Sequence, residues 1–389
     1  MKRIGIITHY FKNKNYGGNL QAYALSEIIT KQGFYTEQIC FDKTEICLPF
    51  FKRIFSSGII GLIKKIWCFP KKKIVGFLKN SEKKTHKVFI RRNKAMYHFN
   101  QKIIPHSDGV YNTQTIKECV GNYDVFITGS DQVWNFTWYH PPYFLDFVPS
   151  DKIKMSYAAS IAKNSLTKEQ KEIFKKSLKD YKAVSVREPS AVKLLEGLSP
   201  VEVKTTLDPT LLLRKEDWDE VCADRVIEEE YCFCYFLGEN KEERKIATDF
   251  AKKHNLKLVF IPHATGVDIS LPDLKMKGEK LYEVSPEQFL SLIKHAKYVF
   301  TDSFHAVVFS NIYQKQYFVF NRSKKGEMSS RIVDITALFN QSERFCAGKE
   351  RETLEYVESL SEIDYSQPNE KFEQLKKESI EFLISNIQD

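Results

Sequence analysis

The chain lacks any window of the ~20 apolar residues that a membrane-spanning helix requires. The nearest, Ile59 to Trp67, is broken by Lys64 and Lys65, so an integral membrane protein is not expected. It also lacks a Cys-x-x-Cys spacing. Its eight cysteines are scattered, with no matching His pair, which argues against a zinc site and fits reduced thiols in a cytosolic protein. Cys232 and Cys234 lie two apart in Tyr231-Cys-Phe-Cys-Tyr-Phe, where strand periodicity puts both on one face as core residues rather than as a redox pair. Neither Gly-x-Gly-x-x-Gly nor the Gly-Lys-Ser/Thr phosphate loop occurs, so a nucleotide-binding loop is not indicated. The start runs straight into the apolar stretch Ile4-Gly-Ile-Ile-Thr, without the charged, long-apolar and small-residue regions of a secretory leader. A cytoplasmic location is the expectation. Solenoid repeats and low-complexity tracts are absent as well.

What is present is 389 residues, more than one hydrophobic core usually supports, so two domains are expected. The net charge of +9 is unevenly placed. Between Lys52 and Lys94 fourteen Lys/Arg face one acid, Glu82, a local balance of +13 that leaves the remainder at −4. Aromatic and aliphatic residues such as Phe55, Ile59, Trp67 and Phe77 are interleaved with these lysines. Either an amphipathic helical insertion packs its apolar stripe on the domain and solvates its lysines, or the segment contacts anionic lipid head groups or acidic glycans. No nucleic-acid-binding module shows itself, and nucleic acid is not expected as a partner.

Short apolar strands alternate with helical patterns, the signature of stacked βαβ units on parallel sheets. The pattern predicts an N-terminal domain over 1–225 carrying the basic insertion at about 48–105. A second βα series follows over 226–365, and one amphipathic helix over 366–389, placed to pack back on the first domain. In open parallel sheets ligands bind at the carboxyl ends of strands, where loops meet helix starts. Polar clusters fall there. In Thr301-Asp302-Ser303-Phe-His305, Asp302 or Ser303 is expected to cap a helix whose first turn holds His305 among backbone N–H groups that favour anions. Arg322, Lys324, Lys325, Ser329, Ser330 and Arg331 make a basic loop leading into the next helix, and Arg187-Glu188 closes a strand of the first domain. One helix terminus contributes about 0.3–1 kcal/mol, while millimolar affinity needs about 4 kcal/mol. Arg187, His305 and a lysine together reach that range, which predicts a small anionic donor spanning both domains, with their closure assembling the site. The glycine loop Asn15, Tyr16, Gly17, Gly18 lets a ligand approach the backbone closely. The run Asp131, Gln132, Trp134, Asn135 offers acceptors, donors and an indole suited to sugar hydroxyls and ring faces.

Taken in order, Asn15-Tyr-Gly-Gly-Asn-Leu-Gln-Ala-Tyr-Ala-Leu, Gly129-Ser-Asp-Gln-Val-Trp-Asn, Ser156-Tyr-Ala-Ala-Ser, Val186-Arg-Glu, Leu207-Asp-Pro-Thr, Asp302-Ser-Phe-His and Ser329-Ser-Arg-Ile resemble the polysaccharide pyruvyl transferase family. The resemblance runs from about residue 4 to 340 and leaves the basic insertion and the C-terminal helix uncovered. It implies an α/β fold of two Rossmann-like parallel-sheet domains facing across a cleft (GT-B-like), with a helical basic insertion in the first domain. It implies transfer of a pyruvyl group from phosphoenolpyruvate to two hydroxyls of a sugar, as in capsule or exopolysaccharide synthesis, giving a cyclic ketal and phosphate. By similarity, the phosphoenolpyruvate-binding arginine falls on Arg187, the essential histidine on His305 and the following basic residue on Lys325 or Lys324, with Ser303 and Ser330 beside them. His305 would then protonate the enol methylene, and Asp131 is the candidate to accept a hydroxyl proton. The acceptor side is expected from Asn15, Tyr16, Gly17, Gly18, Gln132, Trp134 and Asn135. Many members carry Asn-x-Gly-Asp in the first loop, whereas this chain has Gly18 and Asn19. No metal and no cofactor are required; the partners are phosphoenolpyruvate and a glycan, in one form lipid-linked and met at the inner membrane face through 52–94. Two other readings stand beside this one: a glycosyltransferase of the same architecture using a nucleotide sugar, with Glu283 or Glu287 on the ribose, and a glycan-binding protein that has lost turnover.

Overall fold

The computed structural model describes residues 2–43, 79–265, 268–322 and 330–388. The first sheet is centred on strands whose residues are mostly apolar and buried, as strands covered on both faces must be. Its members are β1 (Arg3–Ile7), β2 (Tyr35–Phe41), β3 (His106–Tyr111), β4 (Val125–Thr128) and β5 (Ile153–Ser156), ordered β3-β2-β1-β4-β5. All its pairings are parallel, Ile4 lying opposite Thr36 on one side and Val125 on the other. The parallel pair β6 (Val184–Val186) and β7 (Val203–Thr205) extends it through bridges from Met155 to Ala183 and from Ala159 to Val186.

The second sheet, also parallel, takes the order β12-β9-β8-β13-β14-β15. Its strands are β8 (Tyr231–Tyr235), β9 (Lys257–Phe260), β12 (Glu279–Lys280), β13 (Tyr298–Thr301), β14 (Gln316–Phe320) and β15 (Phe345–Cys346); the hairpin β10 (Ala264–Thr265) and β11 (Asp268–Ile269) stands apart. Cys232 and Cys234 are both buried in the packing of this sheet.

Six helices position the site: α1 (Tyr16–Lys31), α2 (Lys79–Lys102), α3 (Pro286–Lys294), α4 (Phe304–Ile312), α5 (Ser330–Leu338) and α6 (Glu370–Gln388). Asn15 caps α1, its Oδ1 accepting from Gly18 N at 3.4 Å. That helix is buried nearly all round because it lies between the two sheets. Its Tyr16 ring stacks on Phe289 of α3 with centroids 4.6 Å apart and planes 2° from parallel, and its hydroxyl donates to Val284 O at 3.0 Å. Trp218 against Phe309 continues this seam, and one core cluster runs through both domains.

Helix α2 is the described part of the basic insertion; residues 44–78 lie outside the described structure. It buries Met96, Phe99 and Asn100 on the first domain and reaches the second through Arg91, 3.1 Å from Glu283, and Arg92, whose Nη1 donates to Pro262 O at 3.4 Å. Helix α6 returns to the first domain. There Ser379 Oγ accepts from Leu207 N, Lys2 Nζ donates to Ile387 O, and Leu383 and Ile387 are fully buried. Among the described residues no helix is long and apolar enough to cross a membrane.

Candidate active site

Where the strands of both sheets end, α1 and α4 present their first turns to each other. A first turn leaves backbone N–H groups without intrahelical acceptors and carries the positive end of the helix dipole, so two facing starts favour an anion between them. His305 occupies the first turn of α4, and its ring lies against Gly17 of α1 so closely that a Cβ on Gly17 would stand 2.0 Å from Nδ1. Only glycine fits there. Gly18 is similarly confined, a Cβ falling 2.4 Å from Asn13 Nδ2 and 2.9 Å from His9 O.

The hub of the site is Asp208, which follows β7 and is fully buried in its side chain. Its Oδ2 accepts from Ser130 Oγ at 3.0 Å and Arg187 Nη1 at 2.8 Å and lies 3.7 Å from His305 Nε2; Oδ1 accepts from Thr210 N and Oγ1. Burial works against its ionisation, but His305, Arg187 and Thr210 outweigh it and hold the carboxyl far below the usual range. His305 Nε2 is itself buried without a hydrogen-bond partner among the described residues.

Arg187 closes β6. Besides Asp208 it reaches Glu188 Oε1 through Nε and Nη2, each at 3.3 Å, and its guanidinium lies 4.5 Å over the Phe304 ring. Burial would lower its pKa, yet Glu188, Asp208 and Asp131 keep it fully cationic. Three of the five N–H donors of a guanidinium are used in these bonds, which leaves a pair for a carboxylate. Arg331, in the first turn of α5, is buried as well. Burial and the charge of Arg187 bring it down to about 10 against the opposing pull of Glu188 and Asp131, so it too is cationic at neutral pH.

On the other side of the hub stands Asp131, in the left-handed region with φ 65°. Burial opposes its ionisation, but Arg187, His305, His9 and Arg331 together hold it below the ordinary carboxylate value. Beyond it lie His9, pushed down to about 4 by burial and by Lys43, and Lys43 itself, lowered by burial.

The structure thus brings Arg187, His305 and Asp131 together around Asp208 and sets Gly17 against them. Gln132 adjoins them, its backbone carbonyl accepting from His9 Nε2 at 3.1 Å. Trp134 does not join them, which corrects the expectation of an indole facing a sugar. It is fully buried between Phe144 and Phe174, and its N–H donates to Tyr143 O at 3.2 Å. Asn135 is engaged too, capping the short turn that follows by accepting from Thr137 N, and Tyr16 is spent on the seam between domains. Asp302 caps nothing: its carboxylate accepts from Leu237 N and Gly238 N, tying β8 to β13, while Ser303 occupies the N-cap of α4 without a side-chain bond. Ser330 is the first residue of α5. Lys324, Lys325 and Ser329 lie outside the described residues.

Sequence reasoning assigned no role to Asp208, Lys43 or His9. Each follows a strand at its carboxyl end, the signal that had drawn attention to Arg187; Asp208 stood only as a member of the Leu207-Asp-Pro-Thr motif, with no role given to it.

The family described as polysaccharide pyruvyl transferase matches residues 15–324. No curated protein matches the chain. Among solved structures, a protein of Listeria monocytogenes assigned as a UDP-N-acetylglucosamine 2-epimerase superposes with a TM-score of 0.55 at 10% identity, over 99% of this chain and 95% of that one. The UDP-GlcNAc 2-epimerase of Methanocaldococcus jannaschii, in complex with UDP-GlcNAc and UDP, gives 0.53 at 12% identity over 99% of each chain. At such identities the likeness is one of fold, two Rossmann-like domains of the GT-B kind.

Proposed function

The chain belongs to the polysaccharide pyruvyl transferase family, and from that premise we propose that it moves the pyruvyl group of phosphoenolpyruvate onto two hydroxyls of a glycan acceptor, forming a cyclic ketal and releasing phosphate. The observation that carries this reading is the meeting of Arg187 from one domain and His305 from the other on a single carboxylate oxygen of Asp208.

The chemistry asks for three things. The methylene carbon of the enol phosphate must gain a proton, and His305, aimed by Asp208 and held over Gly17, supplies it. The central carbon then becomes oxocarbenium-like. Asp131, kept ionised chiefly by Arg187, sets a fixed negative charge beside it without having to reorganise. The donor's own charges need partners as well: the two unused N–H groups of Arg187 suit its carboxylate, and Arg331, Arg322 and the facing helix starts suit the phosphate, with Lys324 or Lys325 joining them by resemblance. One hydroxyl adds to the central carbon, phosphate departs with the C–O bonding pair, and the second hydroxyl closes the ring. Of the two hydroxyl protons given up, one replaces that spent on carbon and the other leaves on phosphate.

Incubating the protein with phosphoenolpyruvate and a panel of sugar acceptors while following phosphate release tests this. Turnover is expected, with His305→Ala reducing kcat by at least ~100-fold. Activity confined to nucleotide sugars, or full turnover by the folded variant, would overturn it.

A further inference from the structure

We propose that His9 is the catalytic base of the acceptor half of this reaction, its Nδ1 taking the proton from the attacking hydroxyl as that oxygen bonds to the central carbon of the donor. The inference rests on the pyruvyl-transfer reading and adds to it a residue that none of the matched motifs contains.

Position comes first. In the order β3-β2-β1-β4-β5 the chain leaves β1 toward β2 on one side and later returns to β4 on the other, so the carboxyl ends of β1 and β4 flank the switch point where open sheets take their ligands. His9 lies two residues past the end of β1, and Asp131 three past the end of β4.

Tautomer comes next. His9 Nε2 faces Gln132 O at 3.1 Å, an atom that can only accept, so the proton resides on Nε2 and the lone pair on Nδ1. The ring is fixed edge-on against Tyr143 with centroids 4.3 Å apart. Nδ1 is buried and has no hydrogen-bond partner among the described residues. An acceptor held bare inside a protein is uncommon and calls for a reason; here a hydroxyl donor supplied by substrate is the reason.

The surroundings suit the task. Lys43 from the end of β2, Asp131 from the β4 loop and His140 from the segment before Pro141 are the charged and titratable groups that act on the ring. Burial and Lys43 keep it neutral at physiological pH, so the lone pair is open. Asp131, the other candidate, is held below its ordinary range by its neighbours and serves as the ionised counter-charge. It feels both His305 and His9, so the proton donor to carbon and the acceptor from oxygen flank one carboxylate that steadies either imidazolium. The proton taken by His9 is afterwards passed to the departing phosphate and the proton of the second hydroxyl returns to His305, which leaves both rings as they began.

His9→Gln decides the matter, because glutamine can keep the donor to Gln132 O while removing the ring lone pair. With phosphoenolpyruvate and an acceptor that the wild type uses, the variant is expected to keep its melting temperature and a KM for phosphoenolpyruvate within about threefold, while kcat falls ~100-fold or more. A kcat within threefold of wild type overturns the assignment. If the glutamine variant does not fold, His9→Ala with added imidazole replaces it: restored turnover supports the assignment, and no gain overturns it. A wild type without ketal-forming activity on any acceptor overturns the pyruvyl-transfer reading itself, and this inference with it.

Discussion

Single residues show how burial sets chemistry in this chain, most plainly at Glu243. This carboxyl is fully buried, takes one bond from Asn240 Nδ2 at 3.0 Å and leaves Oε2 without a partner among the described residues. Burial, aided by the charge of Asp302, lifts its pKa from 4.5 to about 9. The folded protein therefore keeps this proton up to about pH 9, whereas the unfolded chain loses it above 4.5. Stability from this group is fully present below 4.5 and declines as pH rises through that window, by at most ~1.4 kcal/mol per unit. Glutamine has no proton to hold, so Glu243→Gln is expected to be more stable than wild type by about 1–3 kcal/mol at pH 8 and to lose that advantage near pH 4.5. Urea unfolding at the two pH values measures both, and equal stabilities at pH 8 would contradict the assignment. The same scale shows what a sequence can disclose about a site. Arg187 was legible because a charged residue ending an apolar strand stands out, and His305 because it opens the helix that follows one. Trp134 was misread because a buried indole and an exposed one have the same neighbours in sequence; the difference lies in Tyr143 O, nine residues on, which satisfies its N–H.

Among elements, the central strands were legible as apolar runs, and β1, β4, β8 and β13 fall close to where hydrophobicity places them. β3 was not. Its sequence His106-Ser-Asp-Gly-Val-Tyr is polar and contains glycine; it is a strand because the backbone of β2 pairs with it at the edge of the sheet. β12 and β15, two residues each, carry too little pattern to be seen. The basic insertion was visible as charge but not as a brace between domains, since nothing in the order of its lysines tells which arginine points across the cleft. Arg91 and Arg92 separate these roles. Arg91 makes an exposed ion pair with Glu283, an interaction with a median near zero in water. Arg92 lies 5.2 Å over the buried Tyr16 ring and bonds Pro262 O, a partly desolvated cation–π contact where ~1–2 kcal/mol is typical. Arg92→Ala is expected to lower unfolding free energy by about 1–2 kcal/mol and Arg91→Ala by less than about 0.5 kcal/mol. Denaturant titration of both variants checks the contrast, and equal losses would remove the brace as an explanation.

For the whole molecule, the sequence suggested two domains that close upon a donor, because two βα series with a boundary near residue 225 can be read without knowing how they meet. The structure shows the meeting already made. Tyr16 stacks on Phe289 and touches Tyr235, Tyr23 packs on Trp218, and Trp218 packs on Phe309. Helix α6 then returns from the end of the second domain to bury Leu383 and Ile387 in the first. Interfaces between domains that move freely are more polar than this; a continuous apolar core couples the two halves instead, so that exposing one face strips the other of its partner. The site gains from that arrangement, since the approach of His305 to Gly17 and Asp208 needs placement within a few tenths of an ångström, which a loose hinge would not hold. It follows that both domains should unfold together. Differential scanning calorimetry is expected to show one transition whose van't Hoff and calorimetric enthalpies agree, and tryptophan fluorescence, reporting Trp134 in the first core and Trp218 in the shared one, should follow the same curve. Two resolved transitions, or a Trp134 signal lost well before that of Trp218 in single-tryptophan variants, would mean that the seam is an interface between independent bodies and that the site is assembled only when a ligand draws them together.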